Sequence, residues 1–170
     1  EFGNVSLINK SFQNCYLGNS KTESFFLNLI NSEETGYSRY AFFYINFLLS
    51  QQKFSEIETF YENIDYLNST LLVAQSKKWI EDKNYNNFKE TFSCQNPNDV
   101  IGEFLFVIAN LYSSEGFLKE SDFYINLSNY LNPKFIFNYS LMAENYYKSQ
   151  NYKKSKKTLN KFTKKNEIYH

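Results

Sequence analysis

The chain has 170 residues, a hydrophobic fraction of 42% dominated by Phe and Tyr, and no formal net charge at pH 7. This composition supplies enough apolar surface for a folded core and excludes wholesale disorder. No run of about 18 apolar residues occurs, which excludes a membrane-spanning helix.

Helical periodicity runs through most of the chain. Pro occurs only at Pro97 and Pro133 and Gly only five times, so helices are permitted almost everywhere. No sustained apolar and polar alternation of the kind found in half-buried strands is present. We therefore predict an all-α fold of five helical hairpins, over approximately residues 5–33, 37–65, 69–95, 100–132 and 135–166.

The fourth hairpin has the clearest pattern. Its first helix carries an apolar face with spacing i, i+3, i+4 and i+7, formed by Leu105, Ile108, Ala109 and Tyr112. Gly116 offers a place for the helix to end. One face of the second helix is formed by Leu118, Ser121, Ile125, Ser128 and Leu131. Asn132 and Pro133 then end the hairpin.

The fifth hairpin repeats this layout. Its first helix has a face formed by Tyr139, Met142, Ala143 and Tyr146, and its second by Tyr152, Ser155, Leu159 and Phe162. Small residues recur at matched positions: Ala109 and Ala143 lie 34 positions apart, as do Ser121 and Ser155. Because two helices approach closely only where side chains are small, we expect each hairpin to cross at these positions.

These residues resemble the tetratricopeptide repeat family, whose repeat is about 34 residues long. The matching residues are Leu105, Ile108-Ala109, Tyr112, Ser121 and Pro133 in one unit, and Tyr139, Met142-Ala143, Tyr146, Tyr152 and Ser155 in the next. The resemblance implies a right-handed α-α superhelix in which hairpins stack along residues 1–170 as a single solenoid. An unrelated helical solenoid is the alternative.

Two earlier hairpins match the family pattern less well. One places Ala41, Tyr44, Leu48, Phe54, Ile57, Tyr61 and Ile64 at the corresponding points, and the other Leu72, Gln75-Ser76, Trp79, Tyr85, Phe88 and Phe92. Ile57 and Phe88 stand where the family has a small residue. We therefore expect these hairpins to splay or to pack irregularly.

The sequence offers little for catalysis. His170 is the only His and the final residue, so a His-dependent triad would rest on a chain terminus. Acidic pairs such as Glu81-Asp82 fit solvated helix ends better than acid/base pairs. Cys15 and Cys94 are too few for a disulfide framework, and we expect two buried free thiols. We predict no enzyme activity, no metal site and no cofactor.

The resemblance implies instead a scaffold or adaptor that binds a protein or peptide segment in a concave groove lined by the first helix of each hairpin. The groove positions are Phe42, Asn46, Leu49, Val73, Lys77, Phe106, Asn110, Ser140, Glu144 and Tyr147. The amides could bond a peptide backbone, and the aromatic rings could anchor apolar side chains. The alternative is an accessory fragment of a larger repeat protein that acts in spacing or self-association.

The last quarter of the chain is basic, with about +7 from Lys134 onward against about −7 before it. A basic C-terminal face is formed by Lys153, Lys154, Lys157, Lys161 and Lys164. We interpret it as the polar face of a terminal repeat, with binding of an anionic partner as the alternative. Nucleic acid is not expected, because the chain as a whole is neutral.

A soluble cytoplasmic protein is the default, and a periplasmic or exported one the alternative. The abundance of Asn and Lys indicates an AT-rich genome.

Overall fold

The computed structural model describes residues 5–32, 39–64 and 70–163, and the elements in these ranges are α-helices without a strand. The predicted all-α class is therefore confirmed. The chain divides into two compact units, Glu1–Asn96 and Pro97–His170. The boundary falls between the third and fourth predicted hairpins, at the Pro that opens the fourth.

Unit 1 contains six helices in the described ranges: α1 (Val5–Tyr16), α2 (Thr22–Ile30), α3 (Tyr40–Ser50), α4 (Phe54–Glu62), α5 (Leu71–Glu81) and α6 (Asn86–Thr91). α3 packs against α2, α4 and α5. Ten consecutive residues of α3, from Tyr40 to Leu49, are buried. A helix that is apolar on every side must be surrounded by other elements, so α3 is the central helix of this unit.

Aromatic rings from four elements form the core of unit 1. Phe12 of α1 makes edge contacts with Phe26, Phe43 and Phe92, with ring centroids 5.6, 4.9 and 5.8 Å apart. Phe43 also contacts Phe92 edge-on at 4.7 Å. Such edge-to-face pairs stabilise a core beyond the area they bury. Phe12, Phe26, Phe43 and Phe92 are therefore packing residues of this unit.

A disulfide joins Cys15, at the end of α1, to Cys94, just after α6. The expectation of two free thiols is therefore wrong. The two residues are 79 positions apart, and sequence spacing alone could not pair them. Both are almost fully buried. The bond ties the first helix of unit 1 to the end of its last helix and closes nearly the whole unit into a covalent loop.

Unit 2 contains four helices in the described ranges: α7 (Pro97–Ser114), α8 (Leu118–Leu131), α9 (Asn138–Lys148) and α10 (Tyr152–Thr163). α7 packs against α8, α9 against α10, and α9 also contacts both α7 and α8. Ala109, Ile125, Leu141 and Met142 form the buried centre. These helices coincide with the two best-matching hairpins of the sequence.

The same turn closes all five helical pairs. A residue with positive φ ends each first helix: Gly18, Gln52, Lys83, Gly116 and Gln150. In every case the next backbone N–H donates to the carbonyl five residues earlier, as Phe117 does to Tyr112 (2.9 Å) and Asn151 to Tyr146 (2.8 Å). This is the Schellman motif that satisfies the last carbonyls of a helix. The repeated helix, turn and helix pattern of the sequence thus corresponds to one backbone geometry that recurs at these five turns.

Buried Ser and Asn side chains join the helices of unit 2. Ser121 Oγ donates to the carbonyl of Ala109 (2.7 Å), and Ser155 Oγ donates to that of Ala143 (2.9 Å). These are the small residues predicted to lie at the helix crossings, 34 positions apart. A Ser at each crossing therefore allows close approach and supplies a hydrogen bond as well.

A second chain of bonds lies one heptad away. Ser128 Oγ donates to the carbonyl of Gly102 (2.6 Å), and Asn138 Nδ2 donates to Ser128 Oγ (2.9 Å). A Cβ added at Gly102 would lie 3.4 Å from the carbonyl oxygen of Ser128, so α7 and α8 are nearly as close there as backbones allow. In the first chain, Asn145 Nδ2 likewise donates to Ser121 Oγ (2.7 Å). Two parallel bond chains therefore connect α9, α8 and α7.

Ile57 and Phe88, which stand where the family pattern has a small residue, lie inside unit 1. Both side chains are fully buried. The pairing of α3 with α4 is less extensive than that of α7 with α8 or α9 with α10. α6 is only six residues long. The hairpins of unit 1 that contain Ile57 and Phe88 are therefore built from shorter second helices than those of unit 2.

Candidate functional site

The groove positions predicted in unit 1 belong mostly to its core. Phe42 is fully buried and stacks on Phe88 with centroids 5.4 Å apart. Leu49 and Val73 are also buried. These three side chains present no surface that a partner could contact. Lys77 is partly exposed and pairs with Glu81 at 3.9 Å.

The side chain of Asn46 is hydrogen-bonded to backbone groups inside unit 1. Its Nδ2 donates to the carbonyl of Phe88 (3.0 Å) and to that of Phe92 (2.8 Å). Phe88 lies within α6 and Phe92 directly follows it, and the Phe88 carbonyl also accepts from the backbone N–H of Phe92 (3.0 Å). Asn46 therefore anchors α6 to the central helix. The run from Tyr40 to Leu49, in which Asn46 is the only strongly polar residue, was the sequence signal that α3 is enclosed on all sides.

The groove positions predicted in unit 2 are accessible. We call them the first-helix surface: Phe106 and Asn110 of α7, and Ser140, Glu144 and Tyr147 of α9. Asn110, Ser140, Glu144 and Tyr147 are exposed and Phe106 is half-buried. Phe106 and Ser140 are 34 positions apart, as are Asn110 and Glu144, so equivalent positions of two contacting helices supply this surface.

The first-helix surface combines an apolar part with polar groups. Phe106 packs against the buried centre of unit 2 with part of its ring exposed. Tyr147 is 65% exposed and meets Tyr152 edge-on at 5.3 Å. Glu144 pairs with Lys148 at 2.7 Å. The first-helix surface thus combines an amide, a hydroxyl and a carboxylate with two aromatic side chains.

A second exposed surface lies on α8 and was missed by the sequence reasoning. We call it the outer stripe: Phe123, Leu127 and Tyr130, exposed by 61%, 37% and 81%. With Lys119, Asp122 and Asn126 these residues line a groove of about 580 Å³. Their spacing of i, i+4 and i+7 is a helical stripe that was overlooked beside the stronger face formed by Ser121, Ile125 and Ser128.

Asp122 lies at the edge of this groove. Its Oδ1 is buried and has no hydrogen-bond partner within the described residues. Burial raises the pKa of this carboxyl, and the positive charge of Lys154 partly offsets the effect. Ionisation of the Asp122 carboxyl therefore lowers the stability of the folded protein.

The helix predicted to carry the basic C-terminal face is present. On α10, Lys153, Lys154, Lys157 and Lys161 are exposed, and so is Lys156. Lys164 and the side chain of Phe162 lie outside the described residues. Tyr152 and Leu159 were predicted to face the neighbouring helix, but they are 58% and 43% exposed. Ser155 and Thr158 are buried there instead, because the close crossing admits only small side chains.

Glu23 and Glu56 of unit 1 are engaged in ion pairs. Lys53 Nζ lies 2.9 Å from Glu23 and 3.0 Å from Glu56, and Tyr44 donates to Glu23 at 3.1 Å. The hydrogen bond from Lys53 lowers the pKa of Glu23. Burial, and then the nearby Glu23, raise the pKa of Tyr44. Tyr44 therefore stays protonated at neutral pH and donates a hydrogen bond in an ion-pair network.

The pair Glu81-Asp82 is engaged in the same way. Asp82 pairs with Lys78 at 3.0 Å, and Tyr61 donates to Glu81 at 2.7 Å. Over the part of the chain that the structure describes, no group of three or more His, Cys, Asp or Glu side chains is placed to hold a metal ion. No helix in that part combines the length and hydropathy needed to cross a membrane.

Comparison with protein-family models, with curated proteins and with solved structures found no match to this chain.

Proposed function

We propose that this chain is a noncatalytic binding module of the tetratricopeptide type, in which the first-helix surface of unit 2 holds a segment of another protein. The observation that carries the proposal is the exposure of repeat-equivalent residues on two contacting helices, Asn110 and Ser140 among them. Stacked hairpins present such positions in register, so an extended segment can contact one helix after another. The repeating Schellman turns and Ser-to-carbonyl bonds support the family assignment.

The right-handed superhelix is part of the same proposal. Its local requirements are present in unit 2: short turns, small residues at the crossings and a spacing of 34 residues. The ligand is a short protein segment with an apolar side chain for the exposed parts of Phe106 and Tyr147. Its backbone bonds to Asn110, whose amide both donates and accepts.

The test is a pull-down from the source organism with two matched double variants. Asn110→Arg/Ser140→Arg places two bulky cations on the first-helix surface. The control, Lys119→Glu/Asn126→Arg, also carries two substitutions, but both lie on α8. Circular dichroism first establishes that both remain helical. The proposal predicts that specific partners are lost only with the first variant. Loss with the second variant alone would overturn it.

The outer stripe favours a second candidate function, self-association through α8. Three large exposed apolar side chains on one helix face mark a contact surface in a soluble protein. A second copy could cover its own equivalent stripe about a twofold axis. Sedimentation of the wild type beside Phe123→Ser/Tyr130→Ser tests this: a concentration-dependent dimer that the variant lacks supports it, and a wild-type monomer at all concentrations contradicts it.

We also infer that the chain functions in an oxidising compartment, which favours the exported alternative over the cytoplasmic default. The buried Cys15–Cys94 disulfide supports this, since such bonds persist where thiols are not kept reduced. Cells lysed in a thiol-alkylating reagent would yield an unmodified chain if the bond is native. A doubly alkylated chain would contradict the inference.

A further inference from the structure

On α5 and α9, Lys side chains are compensated by carboxylates of the same helix. Lys77 and Lys78 pair with carboxylates one turn away on α5, and Lys148 pairs with Glu144 on α9. α10 differs, because its sequence contains five Lys and no acidic residue. Within the described residues, no carboxylate lies at ion-pair distance from any of them.

Two of the five lysines are held over tyrosine rings of α9. Lys154 Nζ lies 5.5 Å from the ring centre of Tyr146, and Lys161 Nζ lies 5.9 Å from that of Tyr139. Asp122 on α8 also acts electrostatically on Lys154. These contacts fix the two side chains along the edge of α10 that faces α9.

The other three form what we call the lysine cluster: Lys153, Lys156 and Lys157. They are exposed, and Lys156 and Lys157 lie one turn after Lys153 on α10. Like charges at i, i+3 and i, i+4 destabilise a helix. Lys153 and Lys154 also lie in the first turn of α10, where the helix dipole disfavours positive charge. The N-terminus is capped only by the neutral side chain of Asn151, which accepts from the N–H of Lys154 (3.3 Å).

We propose that the lysine cluster is a docking surface for a short acidic segment of a partner protein. A helix that accumulates repulsion and an unfavourable dipole interaction gains stability when an anion neutralises it. The surface lies on a different helix from the first-helix surface, and the proposal does not depend on the proposed function.

The length of the charged surface indicates which polyanion fits. α10 is about 18 Å long, which an extended chain covers with about six residues. A longer polyanion such as nucleic acid would extend beyond the lysine cluster, and it is disfavoured by the rest of the unit, since residues 97–133 hold five acidic groups and one Lys. A membrane surface fits poorly, because on the described part of α10 only two large apolar side chains, Tyr152 and Leu159, are exposed beside the packing against α9.

The probe is a fluorescein-labelled oligoglutamate of about six residues, matched to the length of α10, titrated with the full chain at low salt. Fluorescence anisotropy gives the affinity. Lys153→Gln/Lys157→Gln removes two charges of the cluster. Lys77→Gln/Lys78→Gln removes two lysines from α5 that already have carboxylate partners, and is the matched control.

The proposal predicts that the wild type and the α5 variant bind the peptide equally, and that the α10 variant binds about tenfold more weakly. It also predicts a higher melting temperature for the α10 variant, because neutralisation removes repulsion, so that loss of binding cannot be attributed to unfolding. Absence of binding by the wild type, or equal weakening in both variants, would overturn the proposal. Tighter binding of an oligodeoxythymidylate, or of vesicles of phosphatidylcholine and phosphatidylserine, would also overturn the proposal. It would show that this other anion, and not an acidic protein segment, is the ligand of the lysine cluster.

Discussion

The hydroxyl of Ser121 donates a 2.7 Å hydrogen bond to the carbonyl of Ala109 and accepts one of equal length from Asn145. Three helices therefore meet at one oxygen atom. Ser155 makes the equivalent bond to Ala143, 34 residues later. This arrangement explains why the repeat has Ser, and not merely a small residue, at the crossing.

Ser121→Ala should destabilise the protein more than Ser155→Ala. The first change leaves the buried Asn145 amide without its acceptor and should cost about 2 kcal/mol, whereas the second removes one donor and should cost about 1 kcal/mol. Urea unfolding followed by circular dichroism measures both. Equal losses would show that the contact between Asn145 and Ser121 contributes nothing beyond the repeated bond.

Gln150→Gly should stabilise the turn between α9 and α10. Gln150 has a φ of 60°, a conformation that strains a residue with a Cβ and that glycine adopts freely. We expect a gain of about 0.5–1 kcal/mol in unfolding free energy. Gly116→Ala is the reciprocal control, since Gly116 occupies the same turn position with a φ of 82°. This variant should lose about 1 kcal/mol of unfolding free energy. A Gln150→Gly variant that is less stable than the wild type would contradict the Schellman geometry.

Reduction of the Cys15–Cys94 disulfide should destabilise unit 1 by about 4 kcal/mol, because the bond closes a loop of 79 residues. Melting curves with and without reductant measure the effect. The Cys15→Ser/Cys94→Ser variant should melt at the same temperature in both buffers, and its melting temperature should match that of the reduced wild type. A reductant effect that persists in this variant would assign the change to something other than the bond.

Asp122→Asn should raise the melting temperature at neutral pH. Burial raises the pKa of the Asp122 carboxyl, so its folded state binds a proton more tightly than its unfolded state. Its contribution therefore favours folding below about pH 4, the ordinary carboxyl value, and is lost as the pH rises through the raised folded pKa. The variant should be more stable than the wild type at pH 7 and no more stable at pH 3.

Glu120→Gln is the control for this effect, since Glu120 is an exposed carboxylate on the same helix. It should not raise the melting temperature at pH 7. A gain from Glu120→Gln equal to that from Asp122→Asn would assign the effect to the net charge of the chain and not to burial.

Local features of the fold could be predicted from the sequence where periodicity and small residues agree. Ala109, Ser121, Ala143 and Ser155 predicted the crossings of unit 2, and those crossings are present. The disulfide could not be predicted, because the approach of Cys15 and Cys94 is a property of the folded unit. The burial of Phe42 and Val73 was missed because the repeat pattern was applied to α3 and α5 as if one side of each helix faced solvent.

The exposure of the outer stripe could not be predicted from the sequence either. Phe123 and Tyr130 have helical spacing, but a sequence does not show which of two apolar faces is covered. Tyr152 and Leu159 were assigned with Ser155 to the covered face of α10 by their hydrophobicity, whereas only Ser155 of these three is buried, together with Thr158. Side-chain size at the crossing, more than hydrophobicity, decided which face is buried.

Site-directed photocrosslinking in the source cells tests the central claim most directly. A photoreactive phenylalanine at position 110 or 144 would lie on the first-helix surface, and the same group at position 126 would lie on α8. We predict that positions 110 and 144 crosslink to the same partner protein and that position 126 does not. Crosslinking from position 126 alone, or different partners at 110 and 144, would contradict binding of one segment across α7 and α9.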